Sequence, residues 1–220
     1  MKQTRRRYLA ATGALAVGPG LAGCLGGGSD GPSGAGDTSH SCELTDRDPV
    51  DELPQPTVGS DDATVTVDVF EDFACPHCAD FALGGLADLE AEYAGEDVRF
   101  RRFDFLVVDS DWNAPVANAA RSVQDELGDE AFFEFTHAAY ENQSEYSWQV
   151  IGDIAEEVGV DPCRVLSDAD GGTYSGVLEA DQTAGEDQGV PGTPAAVVDG
   201  QLLEGAATYE SVRSAIEASL

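Results

Sequence analysis

A β-branched run that breaks into Cys-Pro-His-Cys constrains this chain more than any other feature. Thr64-Val65-Thr66-Val67-Asp68-Val69-Phe70 follows the acidic pair Asp61-Asp62 and reads as a strand. After a short turn, Cys75-Pro76-His77-Cys78 opens a stretch in which Phe81, Leu86, Leu89 and Tyr93 fall near one helical face. At a helix N-terminus the unpaired N–H groups and the dipole stabilise an anion, which makes Cys75 a candidate thiolate. Pro76 suits the first helical position, where its missing N–H is not needed. Cys78 lies one turn on, within reach of a disulfide with Cys75. His77 sets a positive or hydrogen-bonding group beside the sulfur. A stabilised thiolate favours the reduced form, so the disulfide form becomes a strong oxidant. On this reading Cys75 is an exposed nucleophile and Cys78 a shielded, resolving thiol.

The rest of the pattern surrounds that unit with one sheet. Val98 to Phe105 reads as a second strand, and its Arg99, Arg101 and Arg102 are expected to be salt-bridged to the acidic surround. Residues 114–189 read as helical pieces, with Val116, Ala120, Val123 and Leu127 at helical spacing, and Val150, Ile151, Ile154, Ala155 and Val158 likewise. Phe132, Phe133 and Phe135 are assigned to the core. Ala195 to Val198 returns to strand character, Asp199-Gly200 signals a hairpin, and Tyr209, Val212 and Ile216 mark a last helix. Gly84-Gly85 is expected to weaken or kink the helix after Cys78. The order is a βαβ unit and a ββα unit around one mixed α/β sheet, with a helical insertion at about 106–189.

Cys75-Pro76-His77-Cys78 resembles the active site of the DsbA-type thiol–disulfide oxidoreductases, and Gly189-Val190-Pro191-Gly192-Thr193-Pro194 resembles that family's cis-proline segment. The resemblance covers residues 62–220 and implies a thioredoxin fold with an inserted helical domain. It implies a cis Pro194 facing the active-site pair, with Thr193 before it, and assigns Pro76, Thr193 and Pro194 to the groove that holds substrate. It implies no organic cofactor and no metal. Substrates are expected to be reduced exported proteins, with a membrane redox partner recycling the site. Many members carry an acid six positions before the first cysteine; here that position is Val69, and Glu71, Asp72 and Asp80 are the nearby acids. Introduction of disulfides is the expected activity, with isomerisation or reduction on the same fold as the alternative.

Charge excludes other classes. The chain has 42 acids against 11 Lys and Arg, a net −31, and Lys2 is its single lysine. Phosphate neutralisation, and with it nucleic-acid binding, is excluded on that balance. Such self-repulsion is tolerable where salt screens it, since the Debye length falls to about 3 Å at 1 M. A high-salt environment is the expectation.

Residues 1–23 contain no acid. Arg5-Arg6-Arg7 precede a weakly apolar stretch from Ala10 to Ala22, an order that resembles a twin-arginine export signal. Leu21-Ala22-Gly23-Cys24 resembles a prokaryotic lipobox, which makes Cys24 the expected lipidation site and the outer face of the cell membrane the expected location. Six glycines between Gly26 and Gly36 mark residues 24–41 as a flexible tether, followed by a leader segment at 42–61.

Two rival readings remain at this stage. Cys75, Cys78 and a histidine suggest a metal carrier, but a structural zinc usually needs four ligands, and only His40 and His137 remain. A solute-binding lipoprotein with a structural Cys75–Cys78 pair is the other, though so short a loop gains little from a cross-link. Cys42 and Cys163 either form a bridge that pins the leader to the insertion or stand as separate residues.

Overall fold

The computed structural model describes residue 35 and residues 38–220. The expected export signal, Cys24 and all but the end of the tether lie outside the described residues. Among the described residues no helix is long and apolar enough to cross a membrane.

Five strands form one sheet in the order β1-β3-β2-β4-β5: β1 Thr57–Val58, β2 Val65–Glu71, β3 Val98–Asp104, β4 Ala195–Val198 and β5 Gln201–Leu202. β2 and β3 run parallel and all other neighbours antiparallel. Alternation along β2 divides the sheet's two faces. Val65, Val67 and Val69 pack with Phe100, Leu86, Leu89, Val212 and Ile216, while Phe70 joins Phe103, Phe105 and Val197 on the other side. The first face is covered by α2 (Ala87–Tyr93) and α8 (Tyr209–Ser219). The second is covered by α7 (Ser175–Asp187), which comes so close that a Cβ on Gly185 would sit 2.6 Å from the Phe105 ring.

The segment between Cys78 and Tyr93 leaves α-helical geometry where its glycines fall. Helix α1 (Pro76–Asp80) passes into a π-helical turn over Phe81–Leu86, which contains Gly84-Gly85, before α2 resumes. Helices α3 (Asn113–Leu127), α4 (Asp129–Glu141), α5 (Trp148–Glu157) and α6 (Pro162–Gly171) form the insertion around their own core, to which Phe132 and Phe135 belong. Phe133 is half-buried and lies beneath the Arg102 guanidinium.

The three arginines of β3 have different fates. Arg101 makes a bidentate pair with its register partner Asp68, at 2.6 and 2.8 Å. Arg102 is buried and paired with Glu71. Arg99 departs from the expected salt bridge: it donates to the Thr66 hydroxyl and the Asp61 carbonyl, because its neighbour on β2 is a threonine. Deeper still, fully buried Arg121 on α3 bonds Asp104 at 2.8 Å, Asp181 at 2.5 Å and Gln124 at 3.0 Å. Burial raises the pKa of both acids, Asp181 to about 6, and the guanidinium pulls each back down.

Residues 42–61 are integrated with both layers. Thr57–Val58 adds an edge strand to β3, and Gln55 donates to Asp181. Arg47 pairs with Asp168 at 2.9 Å, and Cys42 is disulfide-bonded to Cys163, with Cα atoms 5.1 Å apart.

Candidate active site

The end of β2 delivers Asp72, and Asp72 shapes the turn that follows. Its carboxylate is fully buried and accepts from the amides of Ala74, Val107 and Val108, each at 2.8 Å. Its carbonyl accepts from Cys75 N at 2.9 Å. One acidic side chain therefore ties the turn before α1 to the loop after β3, and its charge is satisfied by N–H groups.

Cys75 is the N-cap of α1, in extended conformation, with Pro76 in the first turn and no side-chain cap bond. Its carbonyl already accepts from Cys78 N at 3.0 Å and Ala79 N at 3.2 Å. Its thiol donates to the Thr193 carbonyl at 3.5 Å. The Thr193–Pro194 peptide bond is cis. Both sulfurs are free thiols here. The exposed Cys75 expected from the sequence is corrected: Cys75 is only 6% exposed and Cys78 is fully buried. The Thr193 segment lies against the first sulfur, and both cysteines join the core of the helical insertion with Phe73.

Burial pushes the Cys78 thiol far above its ordinary range, and the neighbouring Cys75 pushes it further. The backbone of Asp72 and the Thr193 hydroxyl act against that shift. A proton is therefore held on Cys78 while Cys75 sits at the helix end that favours a thiolate. Pro76 and His77 are exposed, and the His77 carbonyl accepts from the Phe81 N–H at the end of α1. Of the three nearby acids, Glu71 is taken by Arg102, Asp72 by backbone amides, and Asp80 faces solvent.

Two residues of the insertion reach this turn, and neither was marked by the sequence. Gln143 Nε2 donates to Phe73 O at 2.8 Å and to Cys75 O at 2.9 Å. The Tyr146 hydroxyl donates to Phe73 O at 3.3 Å, and Phe73 stacks on Tyr140 with ring centroids 5.1 Å apart. These contacts cross about 70 positions of chain, so no local spacing announces them. Asp72 was legible only as a nearby negative charge.

Among the described residues no three His, Cys, Asp or Glu side chains gather as a metal site. His40 bonds Asp153 at 3.0 Å, and His137 lies 3.8 Å from Glu141, so each of these two histidines has its own acid. A cavity of about 970 Å³ lined by Ala82, Glu90, Arg102 and Phe133 includes neither active-pair cysteine.

A helix-capping cysteine, a buried partner thiol and a cis-proline turn on a mixed sheet define a thioredoxin-fold dithiol site. A thioredoxin family model matches residues 51–218, and the chain belongs to that family. Disulfide bond formation protein D of Bacillus subtilis is 27% identical over 173 residues, covering 76% of this chain and 77% of that protein. The crystal structure of oxidised BdbD from Bacillus subtilis superposes with a TM-score of 0.68 at 25% identity, over 79% of this chain and 98% of that one. Chlamydia trachomatis DsbA shares the fold, with a TM-score of 0.67 at 18% identity, over 80% and 96% of the two chains. The chain is a thiol–disulfide oxidoreductase of DsbA-like architecture.

Proposed function

We propose that the protein is a dithiol oxidase that introduces disulfides into exported proteins. The observation that carries this reading is the division of labour between two sulfurs. Cys75 caps α1 with no other side chain to satisfy the helix end, and Cys78 is buried where its thiolate is costly. That asymmetry favours a reduced enzyme with the charge on Cys75, which makes the disulfide form a good oxidant.

In the forward reaction a substrate thiolate attacks the Cys75 sulfur of the Cys75–Cys78 disulfide. A substrate–Cys75 bond forms, the Cys75–Cys78 bond breaks, and Cys78 leaves as a thiolate that takes up a proton. A second substrate thiolate then attacks the substrate sulfur of the mixed disulfide. The substrate is oxidised by two electrons, and Cys75 is released as the thiolate that α1 stabilises. In the reverse sense Cys78 is the resolving thiol. His77 tunes the Cys75 thiolate, and Pro76, Thr193 and Pro194 line the position of the incoming chain. A membrane partner bearing a disulfide accepts the two electrons and restores the oxidised pair.

Lipidation of Cys24, export by a twin-arginine route and a high-salt habitat belong to the same proposal. They are supported by Leu21-Ala22-Gly23-Cys24, by Arg5-Arg6-Arg7 and by the net charge of −31. The name of the Bacillus subtilis relative supports the disulfide-forming direction. The test is the equilibrium between Cys75–Cys78 and glutathione at high salt, together with transfer to a reduced test protein. An oxidase holds its pair reduced in glutathione mixtures that oxidise an ordinary structural disulfide, and its oxidised form transfers the bond. A pair that remains oxidised under those conditions indicates a reductase instead.

A further inference from the structure

The N-cap carbonyl of α1 accepts from three N–H donors. Two of the N–H groups that Cys75 O accepts come from α1 itself, and the third is the side-chain amide of Gln143. Gln143 sits in a 3₁₀ turn, Gln143–Glu145, between α4 and α5, so the donor is supplied by the helical insertion. The same nitrogen also holds Phe73 O, two residues before Cys75. The two bonds bracket the turn that aims the Cys75 sulfur at the Thr193 carbonyl. Phe73 is held a second time by Tyr146, and its ring is buried against Tyr140.

We propose that Gln143 is a positioning residue of the exchange site: it fixes the Cys75 main chain and sets the positive end of an amide dipole beside the helix end that carries the thiolate. The assignment rests on the exchange reading. The Gln143 contacts at 2.8 and 2.9 Å lie inside even the ~3 Å Debye length of 1 M salt, so high salt leaves them effective.

The sign of the charge at position 143 separates positioning from mere packing. Gln143→Glu removes the donors and brings a negative charge against the Cys75 carbonyl. Gln143→Lys keeps donors of similar reach and brings a positive charge. Gln143→Ala removes the clasp alone. Thiolate absorbance and alkylation rate of Cys75 are followed against pH in the full chain at high salt, with melting curves confirming that each variant is folded. The Glu variant is expected to shift the Cys75 profile to higher pH, with about tenfold less thiolate at a given pH below the midpoint. The Lys variant is expected to shift it the other way by several-fold, and the Ala variant to lie between Glu and wild type. The glutathione equilibrium should move in parallel, a tenfold change corresponding to about 30 mV for two electrons. Displacement by Glu and Lys in the same direction, or by neither, overturns the assignment. A wild-type pair that exchanges no disulfide with glutathione overturns the exchange reading instead, and the thiol titration still judges Gln143.

Discussion

Two helices of this molecule begin with the same local device and put it to opposite uses. In α6 the N-cap is Asp161, Pro162 follows, and Cys163 comes next; the carboxylate accepts from Cys163 N at 3.0 Å. In α1 the N-cap is Cys75 itself, Pro76 follows, and no side chain caps the helix. The α6 end is capped by the Asp161 side chain, and its cysteine is committed to a bond with Cys42 across 121 positions. In α1 the cysteine itself takes the cap position and remains a free thiol. On the proposed chemistry, a helix start is made structural or reactive by exchanging the cap residue, with proline retained in both.

The largest test of that contrast removes the disulfide anchored at the start of α6. A Cys42→Ala, Cys163→Ala double variant is expected to lose up to about 5 kcal/mol of stability, the chain-entropy value for so long a loop, while retaining disulfide exchange. Denaturant melts and transfer assays report the two quantities side by side. Unchanged melting, or lost exchange in protein that is still folded, breaks the contrast between a structural and a reactive helix start.

The next test sharpens the inequality inside the reactive pair. A thiol pKa raised by burial leaves less thiolate at any pH below it, and alkylation slows in proportion. In reduced protein at pH 8.5, Cys78 should react at least about a hundredfold more slowly than a free cysteine, and Cys75 should react faster than Cys78. Equal rates at the two sulfurs would remove the division of labour on which the proposed chemistry depends.

The smallest effect concerns the caps themselves. Asp161→Ala should cost about 1 kcal/mol, the usual worth of a capping side chain. In α1, Cys75→Ser should be more stable than Cys75→Ala by about 0.5–1 kcal/mol, because a serine hydroxyl can supply the missing cap bond. If the two Cys75 variants melt together, the α1 end does not need an anion or acceptor, and the parallel with α6 fails.

What the sequence revealed follows the range of each interaction. The run from Val65 to Phe70 into Cys75-Pro76-His77-Cys78 was legible because period-two alternation and helix-end chemistry act over a few residues. The Asp199-Gly200 hairpin and the helix through Tyr209, Val212 and Ile216 were legible for the same reason. Gly84-Gly85 was anticipated as a weak point in the helix, though the π-helical form found there was not. Thr57–Val58 was missed as a strand because two residues carry no periodicity and β1 exists only by pairing with Arg101 and Phe100. The buried Arg121 set was missed because its partners Asp104 and Asp181 lie 17 and 60 positions away. Cys75 was expected in the open because reactivity was equated with exposure. The structure keeps the sulfur covered, with its thiol held against the Thr193 carbonyl.

The integration of residues 42–61 also sets the tempo of folding. Thr45, Arg47 and Gln55 bond to Ser167, Asp168 and Asp181, partners 121 to 126 positions further along the chain. Contacts of such long sequence separation incur their loop-closure entropy before they return any stabilisation, and chains rich in them fold slowly. During synthesis this stretch emerges early and cannot acquire those partners until α6 and α7 have been made. The export of an already folded protein that we propose from Arg5-Arg6-Arg7 would give the chain time to complete that late closure first.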